Sequence, residues 1–233
     1  MSDDGPVLQE APGSRVLESN TGMRLRVTFS KEGWLAYSSH LDLMRVWERA
    51  LRRAGMPLRY SAGYNPRPKL QLARALPLGH VGERELIDIW LEDPMSLEDF
   101  TRSLLPVLPE GLVIRQVEQV EPGAPAMQTQ VVATEYRVVL DWDVPQAEIE
   151  DRIERLLASA ELPHDRRGRH YNLRPLIEAL RLDGVSAGKA AISMRLSAEP
   201  GATGRPEAVV DWLSLGDAFA RYRRTGLVLR PAS

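Results

Sequence analysis

The sequence predicts an α+β fold made of two successive units, each with its elements in the order βαββαβ. Three observations carry this. Stretches such as 23–30 and 85–91 alternate apolar and polar residues, the period of a half-buried strand. Between them lies a run with apolar residues at helical spacing and a legible start and stop. Beyond a Pro122-Gly123-Ala124-Pro125 break, the same order recurs.

Taken in order, residues 1–22 are rich in Gly, Pro, Ser and acids and predict a disordered tail. In the first strand Leu25, Val27 and Phe29 alternate with Arg24, Arg26 and Thr28. A helix then starts at Ser39, an N-cap with Asp42 three residues on. Its core face is expected to carry Leu41, Met44, Trp47, Leu51 and Ala54, and Gly55 with Pro57 stops it. Residues 58–61 and 69–76 read as short strands around a Gly-Tyr-Asn-Pro loop, and 85–91 as the next strand. Ser96 caps a helix from Leu97 to about Leu108, Gly111 ends it, and 113–121 closes the unit. This is the order of ferredoxin-like domains, with an antiparallel sheet and helices packed on one face.

Residues 122–130 read as a linker and 131–233 as a second ferredoxin-like unit. There 135–142 is strand-like, and 144–159 helix-like with Ile149, Ile153, Leu156 and Leu157 on one face. Residues 169–182 show no clear period; 190–198 reads as a strand, 206–215 as a helix and 222–229 as a last strand. The tandem rests on element order, since no residue-level repeat is visible.

Charge is unevenly spread. Residues 23–82 hold eleven Arg and Lys against three acids, a net of +8 in a chain whose total is −2. Such a concentration predicts a surface for a polyanion, RNA or DNA first. Arg45, Arg49, Arg52 and Arg53 share a stripe of the first helix, where Asp42–Arg45 and Glu48–Arg52 offer weak local pairs. The loop that follows interleaves Arg59, Tyr60, Gly63, Tyr64, Asn65, Arg67 and Lys69 with two prolines. Two tyrosines to stack on bases and three cations for phosphates is the pairing of single-stranded nucleic-acid sites. An ordinary hairpin loop needs neither. Arg166, Arg167 and Arg169 form a second basic loop, whose neighbours His164, Asp165 and His170 lack a spacing that converges on a metal.

Other classes lack support. With no cysteine, the chain has no disulfide, thiolate metal site or cysteine-held iron–sulfur cluster. It has no run of about 18 apolar residues and no basic-then-apolar leader, so no membrane span is expected and a cytoplasmic protein is. The stretch Gly184 to Ala190 misses a phosphate loop by one residue and a hydroxyl, and reads as a turn between strands. No cofactor motif is present. One catalytic alternative remains. His40 follows the cap at the first helical position, where the helix dipole disfavours a cation and leaves an imidazole able to accept a proton. With Arg45, Arg67 and Lys69 stabilising charge it would serve a metal-independent endoribonuclease, although no second catalytic residue can be placed by spacing.

The stretch SSHLDLMRVWERALRRAGMPLRYSAGYNPRPKLQLARALPLG also carries a family resemblance. Its pattern S-H-L-D-x-x-R, R-R-A-x-x-P, S-x-G-[FY]-N-P-[RH]-P and A-x-P-L-G resembles the radical-SAM-associated (radical-SAM-linked) proteins, a domain of unknown function. The resemblance extends over residues 23 to about 215. It implies an accessory protein to a radical-SAM enzyme, with RNA as substrate and a ribonuclease of the E/G type as a further companion. Because this chain has no cysteine, the radical-SAM cluster would lie on a separate polypeptide. A protein adaptor with a basic docking face is the remaining alternative.

Overall fold

The structure, a computed structural model, describes residues 22–231 apart from Pro122, Asp143 and Val144. Apart from Gly22, the predicted tail lies outside the described residues.

The first unit begins with β1 (Met23–Lys31), a 3-10 turn (Gly33–Tyr37) and α1 (His40–Arg53). It continues with β2 (Leu70–Leu72), β3 (Val81–Leu91), α2 (Leu97–Leu104) and β4 (Leu112–Val120). The strands pair antiparallel in the order β4-β1-β3-β2, the ferredoxin-like order. A short helix, α3 (Met127–Gln130), leads to β5 (Val131–Asp141) and α4 (Gln146–Ala158). A hairpin of β6 (Pro163–Arg166) and β7 (Arg169–Asn172) follows, then β8 (Ile177–Ser186) and β9 (Lys189–Glu199). The chain closes with β10 (Ala202–Thr203), α5 (Pro206–Trp212) and β11 (Phe219–Leu229). Setting aside the β6–β7 hairpin, the order of pairing is again the same, β11-β5-β9-β8. The predicted tandem is therefore repeated in topology as well as in element order.

One sheet of nine strands runs through both halves, because β11 lies parallel to β3 over Arg223↔Val81 and Arg224↔Gly82. Helices cover one face of each half. Under α1 and α2 lie Leu25, Val27, Phe29, Ile87 and Ile89, with Trp47 edge-on to Phe29 at 5.0 Å. Under α4 and α5 lie Val138, Leu140, Ile192 and Leu196 against Ile149, Ile153 and Val209. A smaller cluster of Ala73, Met127, Val131 and Ala198 joins the halves, so the stretch read as a linker carries a fully buried methionine.

Local chemistry accounts for the ends of the helices. Ser39 Oγ accepts from the Asp42 backbone N–H at 3.2 Å while the Asp42 carboxylate accepts from Ser39 N–H, closing the capping box the sequence predicts. The hydrogen bonds from Ser39 hold the Asp42 carboxyl below its ordinary range. Several expectations need correction. The core face of α1 is Leu43, Trp47, Ala50 and Leu51; Leu41 is 66% exposed. Residues 58–61 form only isolated bridges, Leu58↔Leu91 and Tyr60↔Pro68, and the strand expected over 69–76 shortens to β2. The second predicted helix gives way to a 3-10 turn at Leu105. Gly184 to Ala190 does make the predicted turn, with Ala187 and Gly188 at φ 50° and 69°.

Candidate nucleic-acid interface and an adjoining cavity

The charge count of residues 23–82 overstates the basic surface. Arg24 and Arg26 lie on the sheet face away from the helices, yet both are buried, because they share one carboxylate. Asp88, with no exposure, accepts from Arg24 Nε at 3.0 Å and Arg26 Nε at 2.9 Å. Arg24 also donates to the Ala124 and Pro125 carbonyls, which close over that face. Lys31 is buried, donates to the Ser38 carbonyl at 3.0 Å, and is drawn below its ordinary pKa by burial. These three cations stabilise the fold and are not available to a ligand.

What remains is concentrated along α1 and at its C-terminal end. Arg45, Arg49, Arg52 and Arg53 are exposed. Arg45 pairs with Asp42 at 3.2 Å, whereas the expected Glu48–Arg52 pair does not form, and Arg49, Arg52 and Arg53 make no ion pair among the described residues. Beyond Gly55 the chain adds an outward loop pinned at its base. Arg59 N–H bonds to the Trp90 carbonyl, Lys69 N–H to the Arg59 carbonyl at 2.7 Å, and Ser61 N–H to the Arg67 carbonyl at 2.8 Å. Arg67 N–H returns to Ser61 Oγ at 3.1 Å. The base is thus ordered while Gly63, Tyr64, Asn65 and Arg67 are all exposed, Tyr64 completely and Tyr60 to 41%. Gly63 has φ 137°, a conformation side chains resist. Lys69 lies over the Trp90 ring at 4.7 Å, with Arg24 at 4.9 Å from the same ring. The structure brings together the stacking and cationic groups the sequence singles out in the loop.

His40 does not join them. It sits at the N-terminal end of α1, half-buried. Lys31, paired with Gly82, marks that end of the sheet, and Leu58 and Arg59 engage Leu91 and Trp90 at the other. A 14-residue helix separates the two ends, about 20 Å by its rise. The composite of His40 with Arg67 and Lys69 is not assembled. The chain near the start of α1 carries exposed apolar side chains, Trp34, Tyr37 and Leu41, and Leu78 precedes Gly79, whose N–H bonds to the Ala36 carbonyl.

Sequence reasoning missed a cavity of 780 Å³ where the two halves meet. Arg74 and Pro77 come from the first half, Tyr136, Arg205, Glu207 and Arg224 from the second. The β6–β7 hairpin forms one wall. Of the second basic loop, Arg166 and Arg169 line the cavity and Arg167, at the turn with φ 52°, does not. Beneath it His80 is buried, stacked on Tyr222 at 4.7 Å, with its Nε2 at 3.1 Å from Glu207 Oε1. Burial opposes ionisation of Glu207, but the His80 hydrogen bond, its own backbone N–H and the charges of His80 and Arg205 outweigh it and hold the carboxyl below its ordinary range. Burial pushes the Tyr222 phenol up to about 12. Parts of the lining fall in stretches the sequence marks, Ala75 and Pro77 in the Ala75-Leu-Pro-Leu-Gly79 run that His80 follows and Arg166 and Arg169 in the second basic loop, but no motif joins them to Tyr136, Arg205, Glu207 and Arg224. Among the described residues no three His, Asp or Glu side chains converge as a metal site would need.

The two pairing orders define a tandem ferredoxin-like fold, and comparison with solved structures finds the following similarities. A Cbf5–Nop10–Gar1 complex matches with TM-score 0.50 and 12% identity, over 89% of this chain and 49% of that one. An H/ACA RNP bound to a substrate RNA matches with TM-score 0.48 and 12% identity, over 89% and 48%. The acetolactate synthase small subunit from Thermotoga maritima matches with TM-score 0.26 and 13% identity, over 91% and 99%. The chain spans about half the length of the first two. No curated protein matches it in sequence. The chain belongs to the family described as "Uncharacterized protein conserved in bacteria (DUF2344)", whose model matches residues 24–206. Among the described residues no helix is long and apolar enough to cross a membrane.

Proposed function

We propose that this protein is an RNA-binding accessory protein that works with a separate radical-SAM enzyme in RNA modification or processing. The observation that carries the RNA part is Tyr64, fully exposed at the tip of a loop whose base is pinned, with Arg67 exposed in the same loop and Arg49, Arg52 and Arg53 exposed on α1. An aromatic held out in water has no part in the protein's own core, and a base can stack on it. Arg45, Arg59 and Lys69 extend the phosphate track, and Asn65 orders the loop or reads a base edge. In this proposal residues 23–121 form the RNA-facing unit and 131–233 the second. The radical-SAM enzyme and the E/G-type ribonuclease enter as partners through the motif resemblance of residues 39–79 alone.

A specific observation favours a second role, that of protein adaptor. Trp34, Tyr37, Leu41 and Leu78 are exposed apolar side chains on the 3-10 turn, the start of α1 and the segment bonded to that turn, away from the loop. Such exposure is characteristic of protein contact, and it would leave the RNA loop free. The endoribonuclease alternative keeps His40 and Arg45, both on α1, but is now without the loop cations Arg67 and Lys69.

Titrating single-stranded RNA at several salt concentrations tests the proposal. Log affinity should fall with log salt at about −0.7 per neutralised phosphate, or about −3 for Arg49, Arg52, Arg53 and Arg67 and about −5 with Arg45, Arg59 and Lys69 added. Folded protein that binds no RNA even at low salt sinks the RNA reading and leaves the adaptor. Co-purification with the radical-SAM enzyme tests the partner separately.

A further inference from the structure

We propose that the cavity between the two halves binds a nucleoside diphosphate group. The inference does not depend on RNA binding by the Tyr64 loop. Its basis is the lining. Five arginines face a space of 780 Å³, a volume in the range of small-molecule sites and far larger than a lone phosphate needs. Arg224 is neutralised by Glu85, its buried ion-pair partner, and Glu207 offsets one more charge. The lining is left with three positive charges in excess, and a diphosphate carries roughly three negative ones near neutral pH.

The arginines are arranged for a ligand. Arg166, Arg169 and Arg205 line the wall and make no side-chain hydrogen bond or ion pair among the described residues. Arg74 is held in place by a 2.6 Å hydrogen bond to Thr203 Oγ1, from the opposite half. Guanidinium forks gathered around a concave space, with donors left unpaired, suit bidentate phosphate recognition. Tyr171, half-buried in the same wall, offers a ring face for a base. Glu207 adds an acceptor. One of its oxygens takes His80, while the other is buried with no partner. A buried carboxylate oxygen left unpaired calls for a donor, and a ribose hydroxyl or an exocyclic amine supplies one. Cation excess, ring and acceptor together describe a nucleotide better than a simple anion.

Calorimetry and thermal shift with ADP, GDP, CDP, UDP, adenosine, pyrophosphate and citrate test this. At least one nucleoside diphosphate should bind at micromolar concentration and raise the melting temperature, with adenosine, pyrophosphate and citrate at least tenfold weaker. R205E and R169E should each weaken binding by about tenfold or more, the loss of a charge-assisted contact. R167E, on the same hairpin but outside the cavity, should leave it unchanged, as should Y64A and R67A in the RNA-binding loop. Melting curves on every variant confirm that each is folded. RNA with a 5′-diphosphate offers the same group, so it and its 5′-hydroxyl form are run as competitors of bound nucleotide. Competition by the diphosphate form alone assigns the site to an RNA end, and by neither form to a free nucleotide. The proposal is overturned if wild-type protein binds no nucleoside diphosphate at millimolar concentration. It is equally overturned if R167E weakens binding as much as R169E, or if citrate or 5′-hydroxyl RNA binds as tightly through Arg169 and Arg205.

Discussion

Arg224 of β11 and Glu85 of β3 form a buried ion pair across the only two residue pairs that join the half-sheets among the described residues. Arg224 Nε donates to Glu85 Oε1 at 2.8 Å, and its remaining donors reach the Arg74 and Ala75 carbonyls at 3.2 Å. Burial alone would weaken the arginine's hold on its proton; the Glu85 charge and hydrogen bonds reverse this and push its pKa up. Removing one partner strands the other charge in a dry seam. R224A should destabilise the protein by about 3–5 kcal/mol. Urea unfolding gives the number, and a loss within about 0.5 kcal/mol, the range of ordinary surface changes, would show that water screens the seam.

Asp88 supports a parallel expectation in the first half. Its carboxylate takes two arginines, and D88N keeps the shape but removes the charge both need. The cost should again be about 3–5 kcal/mol. Because Arg24 also holds the Ala124 and Pro125 carbonyls, protease should cut the 121–130 segment faster in D88N than in wild type. Equal cutting rates at equal stability would mean that the segment is held by Met127 alone.

The same two sites explain what is legible in the sequence. Period-2 and period-3.6 patterns act within one element, so β1, α1, β3 and the element order can be read. Arg24 and Arg26 alternate with Leu25 and Val27 as solvent-facing residues would. That they are buried depends on Asp88, more than sixty residues away, and on a segment folded over them. The β11–β3 contact is equally silent, since two parallel residue pairs leave no periodic trace. Leu41 is misread for a different reason: it is in helical phase with Met44, but the sheet lies under Leu43 and Trp47. The Tyr64 loop is visible because its chemistry is local, whereas the cavity draws its arginines from residues 74 to 224. A clue to its wall does exist. Gly168 follows Arg167 at the centre of 163–172, and the two adopt φ 52° and 76°, the values of a two-residue hairpin turn.

Glu207 makes a prediction for acid. Its carboxyl is held below the ordinary value, so the charged form is favoured in the folded state. A depressed carboxyl contributes stability that is complete above the unfolded value, near 4.5, and is lost as pH falls through the folded one. E207Q removes that dependence. Between pH 6 and pH 3 its urea midpoint should fall less steeply than that of wild type, with His80 and Arg205 the groups that face it. Parallel curves would mean that Glu207 is screened by solvent and does not couple to folding.

The helix cap offers a small, clean effect. Ser39 Oγ serves the Asp42 N–H on an exposed turn, so S39A should cost about 1 kcal/mol. His40, the next residue, would lose its fixed helical start without any change at the Tyr64 loop. RNA affinity should therefore survive S39A. A drop in affinity larger than the drop in stability would place the N-terminal end of α1 in the RNA interface.

The Tyr64 loop carries the most weight. Y64A removes a ring that is fully exposed among the described residues, so the melting temperature should stay put while RNA affinity falls by about 1–3 kcal/mol. R67A should weaken binding to all sequences alike and make the salt slope shallower by about 0.7, one phosphate's share. The loop base survives that change, because Arg67 holds Ser61 through its backbone. Gly63 tests the backbone instead. Space beside it is open, with no atom within 4 Å of where a Cβ would sit, so only its φ of 137° resists a side chain. G63V should distort the tip by conformational strain and lower affinity without a clash. Melting and RNA binding measured side by side on all three variants separate the outcomes. If Y64A and R67A melt early and bind RNA normally per folded molecule, the loop is structural and the interface lies elsewhere.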